Sequence, residues 1–136
     1  MIELLMISDV LKAVKSTGTE VVYNHKDCAT ENAHGWYEFR RNPNIDELVI
    51  CVDTHTNGSD LLDTVRHEAV HVIQTCKGDT VMPYDVNMQH ASAHTLKQLK
   101  TYSDDTLTQS LEVEAHNMAE FLSEDDIVGM INKYCF

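Results

Sequence analysis

Six consecutive residues in mid-chain, Arg66-His67-Glu68-Ala69-Val70-His71, bring two imidazoles and a carboxylate to where they can share one reaction. The pattern His-Glu-x-x-His works only on a helix, where at about 100° per residue the two histidines lie roughly 40° apart on one face. Both rings can then reach a single zinc ion at about 2.0–2.1 Å. Glu68 falls at the edge of that face, where a carboxylate can take a proton from a metal-bound water without occupying the metal. Leu61, Leu62, Val65, Ala69, Val72, Ile73 and Cys76 gather on a different face, as expected of a helix that packs on one side and borders a cleft on the other. Thr64, Gln74 and Thr75 accompany the histidines, either contacting ligands or substrate or simply solvated.

A hydrolytic zinc generally has three protein ligands and one open position, so a third ligand must come from elsewhere. The best source is the run Leu111-Glu112-Val113-Glu114-Ala115-His116-Asn117-Met118-Ala119. On its helical wheel Leu111, Ala115, Met118 and Leu122 form the packing face, with Glu112 and Glu114 on opposite flanks. Glu112 shares its side with Ala115 and Ala119, which leave room for an ion, whereas Glu114 is bordered by Met118 and Phe121. The wheel favours Glu112 over Glu114, with a solvated glutamate as the plain alternative for either. His116, one turn after Glu112, is placed to hold that carboxylate. A second pair at the same spacing, His90 and His94, lies opposite Met88, Ala91, Leu96, Leu99 and Tyr102 and reads as solvent-facing. His25, His34 and His55 stand alone and read as surface or core histidines. Tyr84, Tyr102 and His94 are candidate donors to a developing oxyanion, and nothing selects among them.

The elements that must position these groups follow from periodicity and punctuation. Ile2, Leu5, Met6, Val10, Leu11 and Val14 recur at helical spacing until Ser16-Thr17-Gly18. Thr19 to Tyr23 is short and β-branched, and Asn24 to His34 is too irregular to assign. Gly35 to Arg40 and Leu48 to Asp53 read as strands around the turn Asn42-Pro43-Asn44, giving a small, mostly antiparallel sheet. Asn57-Gly58-Ser59-Asp60 opens the motif helix and Gly78 closes it. Further helices are expected from about Val86 to Tyr102, from about Thr106 to Leu122, and after Ser123. Helix, small sheet, then helices is an α+β order.

The chain has 136 residues, 43% of them apolar, which suits one domain over residues 1–136. Ten Lys and Arg against 22 Asp and Glu give a formal charge of −12 with no basic block. Such a surface repels nucleic acid and anionic membranes, and leaves a peptide or protein as the expected partner, basic peptides slightly favoured. At the N-terminus Glu3 stands where a signal peptide would carry positive charge, and Asp9 and Lys12 interrupt the apolar run. A cytoplasmic protein is expected. Cys28, Cys51, Cys76 and Cys135 form no Cys-x-x-Cys pair and read as buried thiols rather than disulfides or ligands.

On these residues the chain resembles the zincins, and within them the gluzincin type: His67-Glu68-Ala69-Val70-His71 matches the signature, and Glu112 followed by Ala115 resembles the glutamate helix. The run Arg66 to Gln74 is similar to small metallopeptidase-like proteins of bacteria and tailed phages, including cyanophages. The resemblance implies a zincin-like core, Zn2+ held by His67, His71 and Glu112, Glu68 as catalytic base, and a peptide bond as substrate. In a phage-encoded protein the location would be the host cytoplasm. One position departs: many gluzincins carry an aspartate one turn after the glutamate ligand, and this chain carries His116. The expected function is therefore a zinc-dependent peptidase, hydrolysing by a metal-activated water with Glu68 as general base. The strand LVICVD is expected to offer an edge to an extended peptide. Two other readings stay open: a non-catalytic, zinc-containing protein-binding module on the same scaffold, and a metal-free interaction protein in which the motif is coincidental.

Overall fold

The computed structural model describes residues 2–30, 33–41, 44–55, 57–82 and 106–136. The expected helix from Val86 to Tyr102, with Tyr84, His90 and His94, lies outside the described residues.

Helix α1 runs Ile2–Ser16 and ends at Gly18, whose φ of 95° is the left-handed conformation that a glycine takes without strain. Strands β1 (Glu20–Tyr23), β2 (Gly35–Arg41) and β3 (Asn44–Ile50) form one sheet in the order β1-β3-β2, with a short helix α2 (Asp27–Thr30) after β1. The pairing of β2 with β3 is antiparallel, from Gly35 opposite Ile50 to Arg41 opposite Asn44. That of β1 with β3 is parallel, Val21 opposite Leu48. The sheet is thus mixed, its longer pairing antiparallel, because α2 and β2 intervene and let β1 reach the far side of β3 in the same direction. Strand β3 begins at Asn44, earlier than the expected Leu48, since its polar first half pairs along the exposed end of the hairpin. It ends at Ile50, and Val52–Thr54 is a 3-10 turn. Flanked on both sides, β3 has no edge to offer a peptide, which overturns that role for LVICVD. Among the described residues the strand whose outer edge borders the cleft is β2.

Helix α3 spans Gly58–Lys77. The Asn57 side chain accepts the Asp60 N–H at 2.9 Å, and Gly78, at φ 86°, returns its own N–H to the Gln74 carbonyl at 2.7 Å. Helix α4 (Thr106–Phe121) and helix α5 (Glu124–Cys135) follow, α5 opened by a reciprocal Ser123–Asp126 capping box. Around α3 the core closes on one side: its Leu62, Val65, Ala69, Val72 and Ile73 meet Val10, Leu11 and Val14 of α1, Leu48 and Ile50 of β3, and Ile127 and Ile131 of α5. Each such aliphatic side chain contributes about 1.5–3 kcal/mol when fully buried. On another side Val70 packs against Ala115 and Met118 of α4. Arg66 ties α3 to α5 through Glu124 while also pairing with Asp63.

All four cysteines are paired, Cys28 with Cys51 and Cys76 with Cys135. The expectation of buried thiols is corrected by the fold, which brings partners 23 and 59 positions apart to Cα separations of 5.7 and 5.0 Å, within disulfide reach. The first pair fastens α2 to the outer face of the sheet beside Val49; the second joins the end of α3 to the end of α5. No helix among the described residues is long and apolar enough to cross a membrane.

Candidate metal centre

The helical spacing does what the sequence reading expects of it. His67 and His71 point from α3 toward α4 with their Nε2 atoms 3.2 Å apart, and Glu112 of α4 meets both: Oε2 lies 3.3 Å from His67 Nε2 and Oε1 2.9 Å from His71 Nε2. Among the described residues this trio is the one group of His, Cys, Asp and Glu whose donor atoms converge closely enough for an ion. A tetrahedral zinc with bonds of about 2.0–2.1 Å requires its ligand atoms to stand roughly 3.3 Å apart. The two imidazole nitrogens, 3.2 Å apart, match that edge, and each has one oxygen of the Glu112 carboxylate 2.9–3.3 Å away. Two imidazoles and a carboxylate are also a donor set zinc accepts. The residues fit the ion.

Electrostatics at the cluster couple its members tightly. Burial pushes the Glu112 carboxyl up, but hydrogen bonds from His67 and His71, and then their charges, carry it well below the usual carboxylate range. Burial alone would depress His71; its bond to Glu112, the charges of Glu68 and Glu112 and a bond to Gln74 outweigh that and raise it to about 9. Without metal, a proton therefore occupies the place between His71 and Glu112.

Glu68 lies beside the trio rather than in it, with Oε1 4.0 Å from His67 Nε2. Burial lifts its carboxyl above the usual range, the charges of His67 and His71 pull it back in part, and Glu112 pushes it up again. A carboxylate whose affinity for protons is raised is better matched to taking and returning one near neutral pH. Its position is set by Gly35: a Cβ there would stand 2.7 Å from the Val49 carbonyl oxygen, 2.9 Å from Thr64 Cγ2 and 3.8 Å from Glu68 Cγ. Strand β2 thus enters the sheet resting directly on α3 at the level of the catalytic candidate.

The remaining polar residues of α3 have fixed partners. Gln74, only 3% exposed, donates through Nε2 to the Leu111 carbonyl at 3.0 Å and to Glu114 Oε1 at 3.1 Å, so its Oε1 must accept from His71 Nδ1 at 2.8 Å. That keeps a proton on His71 Nδ1 and leaves Nε2 turned toward Glu112 and His67. Thr64 Oγ1 bonds His55 Nε2 at 2.8 Å, and His55 Nδ1 donates to the Cys51 carbonyl at 2.6 Å, so His55 is a structural tie between the end of the sheet and α3. Thr75 bonds the Tyr37 hydroxyl, which donates to Asp46 Oδ1 at 2.7 Å; burial and then Asp46 raise that phenol. The His116 ring packs edge-on against His67, centroids 4.5 Å apart, and so supports an imidazole of the trio, where the sequence reading had it holding Glu112. Tyr84, Tyr102 and His94, the oxyanion candidates, lie outside the described residues.

Glu114, the other candidate for third ligand, is turned away from the trio. Fully buried, it accepts from Gln74, from the Val81 N–H at 2.7 Å and from the Met82 N–H at 2.7 Å. Neither this role nor that of Gln74 was foreseen. The available signal was a glutamine one turn past the second histidine.

Alongside the trio runs a cleft of about 710 Å³, with Gly35, Trp36, Tyr37, Phe39 and Arg41 of β2 on one wall and Leu111 and Glu112 on another. Gly78 and Asp79 border it beyond the end of α3.

Fold and centre together define an α+β protein whose His-Glu-x-x-His helix is joined by a glutamate from a second helix. Residues 5–136 match the family described as a domain of unknown function (DUF8637), and the chain belongs to that family. No curated protein and no solved structure matches the chain.

Proposed function

We propose that the chain is a zinc-dependent peptidase on a zincin-like, gluzincin-type core, with His67, His71 and Glu112 as ligands and Glu68 as general base. One observation carries the reading: two imidazoles of one helix and a carboxylate of a second bring their donor atoms within 4.8 Å of one another, with a buried, proton-avid carboxylate beside them. Zinc bound there would supply a Lewis acid that acidifies water and polarises a carbonyl. Glu68 accepts the proton of the attacking water and returns it to the leaving amine. Gln74 holds His71 in the tautomer that presents Nε2. The outer edge of β2 supplies backbone groups for an extended peptide, the role first expected of LVICVD.

The strongly acidic surface supports a peptide or protein substrate over nucleic acid or an anionic membrane. A cytoplasmic location implied reduced cysteines; the two disulfides favour an oxidising compartment instead.

The test is paired. Metal analysis of protein purified without a histidine tag should find one zinc per chain, and Glu68→Gln should keep that zinc while lowering peptide cleavage by about 10²–10⁴-fold. Full cleavage by the Gln variant removes Glu68 from the mechanism. Stoichiometric zinc with no hydrolysis across a broad peptide library assigns the centre to a non-catalytic binding module, and a chain that takes no zinc leaves the metal-free interaction protein.

A further inference from the structure

Both ends of the Gln74 amide are committed, Oε1 to His71 Nδ1 and Nε2 to Glu114 Oε1 and the Leu111 carbonyl. Glu114 in turn is held by the Val81 and Met82 N–H groups, one on each carboxylate oxygen. Those amides belong to the segment that leaves α3 after Gly78, and the residues joining it to the helix, Gly78 and Asp79, border the cleft. Val81 itself packs with Val70, Ala115 and Met118. An unbroken series of hydrogen bonds therefore runs from a metal-ligating imidazole, through two buried side chains, to the backbone beyond the cleft rim.

We propose that Gln74 and Glu114 are positioning residues that couple metal binding at His71 to the order of residues 80–82. The inference rests on the metal centre proposed above and not on peptide cleavage. For Nε2 to face the ion, Nδ1–H must face the Gln74 oxygen; the glutamine presents that oxygen when its NH2 is engaged by Leu111 and Glu114; and the carboxylate of Glu114 is seated by the two amides. Loosening any member frees the next to turn. Linkage makes the effect reciprocal: whatever a seated His71 adds to the segment, the segment adds to metal affinity. A glutamate that only fastened a loop would leave the metal indifferent to that loop.

The experiment is zinc titration into the metal-free, full-length protein while amide hydrogen exchange is followed at Val81 and Met82. Protection of both amides should rise on zinc loading, within the about 5–150-fold range of typical couplings. Gln74→Met should weaken zinc by about 10–100-fold in chelator competition, as loss of a supporting partner of a ligand does, and should abolish the zinc-dependent rise. Histidine ring 15N shifts in the zinc form should report the Nδ1–H tautomer at His71 in the wild type and a mixed population in Gln74→Met. Zinc that binds the wild type without altering Val81 and Met82 overturns the coupling, and that measurement decides even if the variant fails to fold. A folded Gln74→Met protein with unchanged zinc affinity overturns it too. If the wild type takes no zinc, centre and coupling fall together; if zinc binds, the amides respond and no peptide is cut, the coupling stands and the peptidase reading falls.

Discussion

Glu112 and Glu114 sit two positions apart on α4 and open onto different regions of the molecule. Toward the cleft, Glu112 is met by two imidazole nitrogens whose protons a cation can displace. Toward the interior, Glu114 is met by amide hydrogens, which do not ionise near neutral pH. Under the proposed function the first region exchanges a proton for an ion, while the second is closed by fixed hydrogen bonds. Identical side chains on one helix thus acquire opposite roles from the lability of the donors around them, more than from their own exposure.

The contrast is sharpest in a pair of alanine variants. Glu112→Ala should weaken zinc by more than the roughly 10–100-fold that loss of a supporting partner costs, and should cost the metal-free protein less stability than Glu114→Ala does. Glu114→Ala should do the reverse in stability, lowering unfolding free energy in denaturant titration by about 3 kcal/mol, since three hydrogen bonds are lost at about 1 kcal/mol each. Were Glu112→Ala the variant that unfolds, the distinction would be gone.

Replacing Cys76 and Cys135 together by alanine should cost about 2–5 kcal/mol, read in the same titration, with zinc affinity little changed because the pair lies past the end of the histidine face. Gly35→Ala comes next at about 1–3 kcal/mol, since the new methyl must displace the Val49 carbonyl or Thr64. It should also disturb Glu68 more than His71, visible as a loss of cleavage rate at unchanged zinc content.

The smallest effect is pH dependence of the metal-free protein. His71, raised to about 9 from an ordinary value of 6.5, contributes stability that is full below that ordinary value and lost as pH climbs toward 9. Glu112, held low, contributes stability above the ordinary carboxylate range that is lost only in strong acid. Thermal melts of metal-free protein should therefore decline between neutral pH and about 9, and zinc should remove that decline by taking the proton's place. An identical slope with and without zinc would break the link between proton and metal at Glu112.

Much of this was readable in the chain. The turn at Asn57 to Asp60, the Gly78 stop and the Ser123 start are local chemistry, and α3 and α5 follow them closely. The wheel of α4 separated Glu112 from Glu114 because Ala115 and Ala119 are small. It misjudged the second flank, for Ser110, Val113, Glu114 and Asn117 are buried as well, so α4 has more than one inward face. What stayed hidden was non-local. The parallel pairing of β1 with β3, both disulfides, and the bonds from Glu114 to Val81 and Met82 join segments whose proximity no periodicity encodes.

Gly35 bears on how this protein could be re-engineered. Where β2 touches α3 the strand contributes only the main chain of Gly35, against the Thr64 and Glu68 side chains, so no side chain of the strand at that point can be exchanged for another without crowding Thr64. Substitutions at Trp36, Phe39 or Arg41 can therefore repaint the walls of the cleft, altering which sequences are welcome, while the contact of Gly35 with α3 is kept.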